Sequence, residues 1–181
     1  MKPHPLENSQ FSLKSIVSNK LKNKEIEEIC FLKDRQWKFG MKAQIKWFKN
    51  NIKKHDIHNL FYIKSKLVGY TLLRKRTCEI KNLNKKTKYL LFDTLVIDKK
   101  YRGMKLSNLL MSFNNTIIKQ SDHFSFLICK KELINFYKKN GWIKLNKKNV
   151  KVENHLLSIH GMIFSNKKQN NKKKYYFCIN K

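Results

Sequence analysis

Four cations, Lys99, Lys100, Arg102 and Lys105, crowd one short stretch in the middle of this 181-residue chain. The residues after them place Leu106, Leu109, Leu110, Phe113 and Ile117 at i, i+3, i+4, i+7 and i+11. That spacing predicts an amphipathic helix with those side chains on its buried face. A helix start already carries about half a positive charge from its aligned peptide dipoles. No Ser, Thr, Asp or Asn stands at the N-cap to bond the free amides. A cationic, uncapped start repels itself in the free protein and makes sense if an anion binds there, capped by the free backbone N–H groups.

Two further side chains carry chemistry. Asp93 interrupts an apolar strand running from about Tyr89 to Ile97, just before the cations. A carboxylate there is either a base that takes a proton from an amine, directly or through water, or the structural partner of a nearby Lys or backbone amide. Tyr137 lies in a short helix where Leu133, Phe136, Tyr137 and Asn140 follow helical spacing, and Gly141 and Trp142 end it. Spacing alone makes Tyr137 a core ring with a satisfied hydroxyl. The elements that position these residues are an apolar strand, a basic turn containing Gly103, the amphipathic helix, a second apolar strand (FSFLIC) and the short helix.

This order resembles the cofactor-binding core of the GNAT superfamily of acyl-CoA-dependent N-acetyltransferases. That family's first signature is Arg or Gln, two residues, Gly, one residue, then Gly or Ala, at a helix start. Here it falls on Arg102, Gly103, Met104, Lys105, Leu106 and Ser107, with Lys105 and Ser107 where the family prefers small residues. The second signature is a helix ending Phe-Tyr, three residues, Gly, then Phe or Trp. Phe136, Tyr137, Gly141 and Trp142 match it, while Lys130 stands where an Asn often precedes the Tyr by seven residues. The resemblance implies that Arg102 to Ser107 cradle the pyrophosphate of acetyl-CoA. It implies that the amides of Leu95, Val96 and Ile97 pair with the pantetheine arm like an added strand. It also implies that Tyr137 protonates the departing thiolate, and it loosely supports Asp93 as the base. The acceptor it implies is an amine of a small molecule or sugar, with no metal required.

Composition sets bounds on the alternatives. The net charge of +29 invites a nucleic-acid partner. Lys, Asn, Ile and Phe are abundant, however, Arg occurs only four times and Ala43 is the only alanine. An AT-rich genome encodes such a chain, so the charge implies weak, non-specific nucleic-acid binding rather than a reading site. A basic nucleic-acid-binding protein and a GNAT-like module that has lost catalysis remain the competing classes. Cys30, Cys78, Cys129 and Cys178 are scattered without a paired spacing, which fits reduced thiols in a cytoplasm. The N-terminus lacks an apolar signal segment, and no uncharged run reaches membrane-span length.

The remaining chain reads as one α/β domain over residues 1–181, with a homodimer left open as its assembly. A strand at Phe11–Val17 precedes a helix from Asn23 to about Trp37, a break at Gly40, and a helix from Lys42 to about Lys54. Asn59 to Ile63 and Leu67 to Arg76 read as a hairpin, Glu79 to Thr87 as a basic loop, and Ile143 to Asn146 as a short strand. His155 to Phe164 and Tyr175 to Ile179 read as strands flanking the polar loop SNKKQNNKKK. The expected architecture is a central mixed β-sheet with helices on both faces. By resemblance, a splayed strand pair in that sheet holds CoA. His55, Asp56 and His58 offer too few ligands for a convincing metal site. Trp37, Phe39, Trp47 and Phe48 fall where GNAT members usually form the acceptor pocket, though core packing is the commoner use of such rings.

Overall fold

The computed structural model describes residues 10–153, 160–166 and 173–179. It contains β1 (Phe11–Val17), α1 (Asn23–Trp37), α2 (Met41–Asn51), β2 (Ile57–Ile63), β3 (Lys66–Ile80), β4 (Lys85–Ile97) and α3 (Leu106–Gln120). These are followed by β5 (Ser125–Cys129), α4 (Ile134–Lys139), β6 (Ile143–Lys144), β7 (Val150–Val152), β8 (His160–Phe164) and β9 (Tyr175–Phe177). The strands form one mixed sheet in the order β1-β2-β3-β4-β5-β8-β6, with β9 pairing both β3 and β7. The β4–β5 and β7–β9 pairs are parallel, and β1–β2, β3–β9, β5–β8 and β6–β8 are antiparallel. The chain divides into two compact units, Met1–Leu72 with Thr94–Phe113, and Leu73–Asp93 with Asn114–Lys181.

In the first unit β2 and the unit's stretches of β3 and β4 are buried on both faces, while β1 at the edge is largely exposed. Leu60 of β2, Tyr70 of β3 and Val96 of β4 pack with Ile29, Cys30 and Leu32 of α1 and Phe48 of α2. Their neighbours Phe61 and Ile97 point the other way and pack with Leu106 and Leu110 of α3. Gly69 lets α3 come close: a Cβ there would stand 2.9 Å from Ile97 Cδ1 and 3.2 Å from Leu110 Cδ2. The α1 start is held by Glu25, whose carboxylate accepts from Lys22 N at 2.9 Å, the acidic half of a capping box.

The second unit is built on stacked rings. Phe126 of β5 lies 3.6 Å from Phe177 of β9 at an interplanar angle of 7°, and Tyr89 of β4 meets both rings edge-on. On the opposite side of β4, Phe92 packs against Trp142 and Tyr137.

Several boundaries differ from the sequence reading for non-local reasons. The expected loop Glu79 to Thr87 is mostly strand, because Cys78, Glu79 and Ile80 pair with Phe177, Tyr176 and Tyr175, about a hundred residues away. β7 was not anticipated and forms by pairing in parallel with β9. β8 begins at His160; residues 155–159 of the expected strand, and 167–172 of the expected loop, lie outside the described residues. The buried stripe of α3 is also rotated. Leu106, Leu110, Met111 and Ile118 are buried, Leu109 is exposed, and Asn114 and Asn115 are inside. Asn115 earns its place with two bonds, accepting from Trp142 Nε1 at 3.2 Å and donating to Asn140 O at 2.8 Å. Apolar periodicity is blind to a polar residue that is buried because it is paired.

His58 is the other polar group taken into the core. Ser18 Oγ donates to Asp56 O at 3.1 Å and stands 2.8 Å from His58 Nε2, so Nε2 carries the proton and donates to Ser18. His58 Nδ1 then accepts from Tyr70 Oη at 2.8 Å. The ring lies between Phe48 and Tyr70. Burial pushes the His58 pKa down from 6.5 to about 4, so the folded protein keeps the ring neutral where the unfolded chain would protonate it. Stability from this site is therefore complete above about pH 6.5 and is lost as pH falls toward about 4, by about 3 kcal/mol. Urea unfolding across that window should show this slope in the wild type and a shallower one in His58→Gln. Equal slopes would mean that His58 is not the group responsible.

Candidate functional site

The turn between β4 and α3 carries four cations and runs into the start of a helix. Asp98 caps a 3-10 turn, Lys99–Tyr101, by accepting from Lys100 N at 3.0 Å. Arg102 follows, then Gly103 with φ +84° and Lys105 with φ +57°. Asn108 N donates to Lys105 O at 3.0 Å, and the amides before it in α3 have no carbonyl one helical turn back to receive them. The Leu106 side chain is only 3 % exposed, so its backbone, not its side chain, is what a ligand could meet. Arg102 is already engaged: its Nε donates to Ile97 O at 3.2 Å and its Nη2 to Gln36 Oε1 on α1. Lys105 explains why the GNAT signature prefers Gly at this position. The backbone is left-handed there, a conformation that a residue with a Cβ adopts only at a penalty.

Past its middle, β4 offers backbone. It pairs with β5 at Leu90↔Ser125 and Leu91↔Phe126, and at no later rung among the described residues. Ser125 Oγ donates to Leu90 O at 2.7 Å and reinforces this join. Val96 and Ile97 bury their side chains, at 3 % and 8 % exposure, so any ligand along this stretch would meet amides and carbonyls. Asp93 is not a lone carboxylate in an apolar strand. Its Oδ2 accepts from Arg74 Nη1 at 2.9 Å, with side-chain exposures of 27 % for Asp93 and 6 % for Arg74. The partner is thus a cation, as in one of the two expected roles, but an Arg from β3 rather than a Lys.

Tyr137 is held by the end of its helix. After α4 the chain turns at Gly141, φ +82°, and Trp142 N donates to Tyr137 O at 3.0 Å, closing the helix in the manner of a glycine C-cap. A Cβ on Gly141 would lie 3.3 Å from the Phe164 ring. Trp142, 2 % exposed, then packs against Phe92, Tyr137 and Phe164. The Phe-Tyr to Gly-Trp spacing is therefore a cap and a core anchor that together orient the Tyr137 ring. That ring is buried at 7 % exposure, and its hydroxyl has no hydrogen bond among the described residues. Burial, with Cys129 nearby, raises the Tyr137 pKa far above its usual value, so the phenol keeps its proton at physiological pH.

The remaining candidates separate. Phe48 is core and stacks on His58, and Trp47 lies under Lys33 Nζ at 3.6 Å. Trp37 and Phe39 are exposed at 39 % and 71 %. Asp56 accepts from Lys53 N at 2.9 Å and His58 has both nitrogens engaged. No group of three or more His, Cys, Asp or Glu able to hold a metal occurs among the described residues. A cavity of about 490 Å³ in the second unit is lined by Lys85, Lys119, Lys173, His123 and Tyr175 among others, and by neither Tyr137 nor Asp93. Three of its thirteen lining residues are Lys, the same share as the 41 cations in 181 residues, so charge does not single it out.

Solved structures share this fold. Escherichia coli ElaA matches with a TM-score of 0.60 at 17 % identity, over 86 % of this chain and 100 % of that one. An acyl-CoA N-acyltransferase from Pseudomonas aeruginosa matches at 0.63 and 14 %, over 86 % and 100 %. The GNAT family N-acetyltransferase YhbS from Escherichia coli, solved in complex with CoA, matches at 0.59 and 11 %, over 85 % and 79 %. The chain has the GNAT fold. No protein-family model and no curated protein matches its sequence. Within the GNAT fold, the basic turn after β4 and the capped α4 are the segments that carry the two signatures.

Lys105→Gly should stabilise the protein by about 1 kcal/mol, because relief of left-handed strain exceeds the extra chain entropy of glycine. Chemical denaturation would measure it. A neutral or destabilising result would mean that the Lys105 conformation is not strained.

Proposed function

We propose that the protein is an acyl-CoA-dependent N-acyltransferase, with acetyl-CoA as donor and an amine of a small molecule or sugar as acceptor. The observation that carries this reading is the Tyr137 hydroxyl, held in place by a buried ring yet without a partner among the described residues, in a GNAT fold. Buried hydroxyls are normally bonded, and one held open is available to a ligand.

Each segment has a role. The segment from Arg102 to Ser107 binds the CoA pyrophosphate through the amides after Arg102 N, which itself donates to Lys99 O at 3.3 Å, and through the cations around them. The amides of Leu95 to Ile97 pair with the pantetheine arm. A neutral amine attacks the thioester carbon, the C–S bond breaks, and the sulfur takes a proton as the thiol leaves. Tyr137 supplies a hydrogen bond and the proton to that sulfur. Its raised pKa makes full transfer to an ordinary thiolate uphill, but a thiolate leaving into the same apolar surroundings is made more basic by the same desolvation. Asp93 Oδ2 is committed to Arg74, which leaves Oδ1 to orient the incoming amine and accept its proton. The Asp93–Arg74 pair and Lys105 also suit a second reading, a GNAT-fold module that binds CoA without turnover.

Tyr137→Phe keeps the ring contacts and deletes the hydroxyl. We expect kcat to fall by about ten- to a thousand-fold, within the range of general-acid contributions. The affinity for acetyl-CoA should stay near wild type, and the loss should shrink with a thioester whose thiol is more acidic. Thiol release against a panel of amines and amino sugars is the assay. An unchanged kcat where chemistry limits turnover would refute the role of Tyr137, and no turnover with any amine would favour the binding module.

A further inference from the structure

Asp98 links the anion cradle to α1. Its side chain is 1 % exposed, its Oδ1 accepts from Lys100 N at 3.0 Å, and its Oδ2 accepts from Arg35 Nη1 at 2.8 Å. Lys66 Nζ lies 3.4 Å from the same Oδ2 and 5.8 Å from the centre of the Tyr101 ring. The Asp98 main chain is fixed as well, its N–H donating to Val68 O at 2.8 Å and its carbonyl accepting from Tyr101 N at 2.9 Å. The next residue along α1, Gln36, accepts from Arg102 Nη2. Two successive residues at the end of α1 therefore grip the turn at its two ends. The helix end is itself fixed, since Asp34 Oδ1 accepts from Gly40 N at 2.6 Å.

We propose that Asp98 is a positioning residue for the cradle. Through the Lys100 amide and the Arg35 guanidinium it holds the turn from Lys99 to Arg102 in the geometry that presents the following amides and cations to an anion. The identity of that anion, the pyrophosphate of CoA, rests on the acyltransferase reading; the role of Asp98 does not. Two effects oppose each other here. A carboxylate beside the cradle repels an anion, so on Coulomb grounds its removal should tighten binding. Removal also frees Arg35 and Lys66 and loosens the turn, which should weaken binding. The second effect dominates, because the charge of Asp98 is already balanced by two cations while the turn depends on its bonds.

Inorganic pyrophosphate and CoA, each titrated calorimetrically into the full chain, decide the matter. Asp98→Asn keeps the Oδ1 acceptor for Lys100 N–H but puts an NH2 donor where Oδ2 accepted from Arg35 and faced Lys66, so it loses the charge and both of those contacts. We expect both ligands to bind about tenfold more weakly, the loss expected when a charge-assisted bond that organises a site is removed. The KM for acetyl-CoA should rise while kcat at saturation stays near wild type, and amide exchange from Lys99 to Lys105 should quicken without ligand. Arg35→Lys, which keeps the charge and loses the rigid fork, should weaken binding a few-fold where a pure field effect predicts no change. It carries the same comparison if Asp98→Asn does not fold. Pyrophosphate binding that is unchanged or tighter in the folded variants would overturn the proposal. A wild type that binds pyrophosphate but not CoA removes the acyltransferase reading and leaves the pyrophosphate comparison to decide the role of Asp98. A wild type that binds neither overturns both.

Discussion

Self-repulsion is the constraint under which this molecule folds. It carries 41 Lys and Arg against 12 Asp and Glu, and a charge so far from neutral works against compaction. The acids are therefore valuable, and the structure spends several of them at junctions rather than on the surface at large. Asp98 joins β4 and α1, Asp93 ties β3 to β4 through Arg74, and Glu25 caps α1 while pairing with Lys14 of β1. Isolated surface pairs contribute little, but Asp98 and Arg74 are nearly enclosed, and losing one partner there would strand a buried charge.

The same composition leaves the backbone short of glycine. Only five glycines are present, and positive φ falls on Lys38, Lys64, Asn84 and Lys105. Lys38 closes α1, Lys64 lies in the turn between β2 and β3, and Lys105 precedes α3, all places where glycine is the usual solution. Glycine is kept where a side chain has no room, beside α3 at Gly69 and against Phe164 at Gly141. The lysines in left-handed turns all have exposed side chains.

Around Tyr137 apolar packing and catalytic potential coincide. The contacts with Phe92, Phe136 and Trp142 fix the ring by shape, which leaves the hydroxyl uncommitted. A hydroxyl anchored by its own hydrogen bond would be equally rigid but unavailable to a ligand. The turn before α3 is ordered differently, through ion pairs and main-chain bonds around Asp98, which suits the anion-binding role proposed for the amides that follow.

The sequence by itself determined the elements whose signal is local. The apolar run of β4, the uncapped cationic helix start and the Phe-Tyr to Gly-Trp cap each lie within a few residues, and each appears where the spacing placed it. Tertiary structure decided what depends on distant partners. It gave Asp93 an arginine from β3, buried Asn115 against Trp142, turned His58 from a candidate ligand into a core residue, and made strands of Glu79–Ile80 and Val150–Val152 by pairing them with β9. The physical reason is the same in each case. A polar group or a short strand enters a fold only when something far along the chain completes its hydrogen bonds, and no local pattern records which residue that will be.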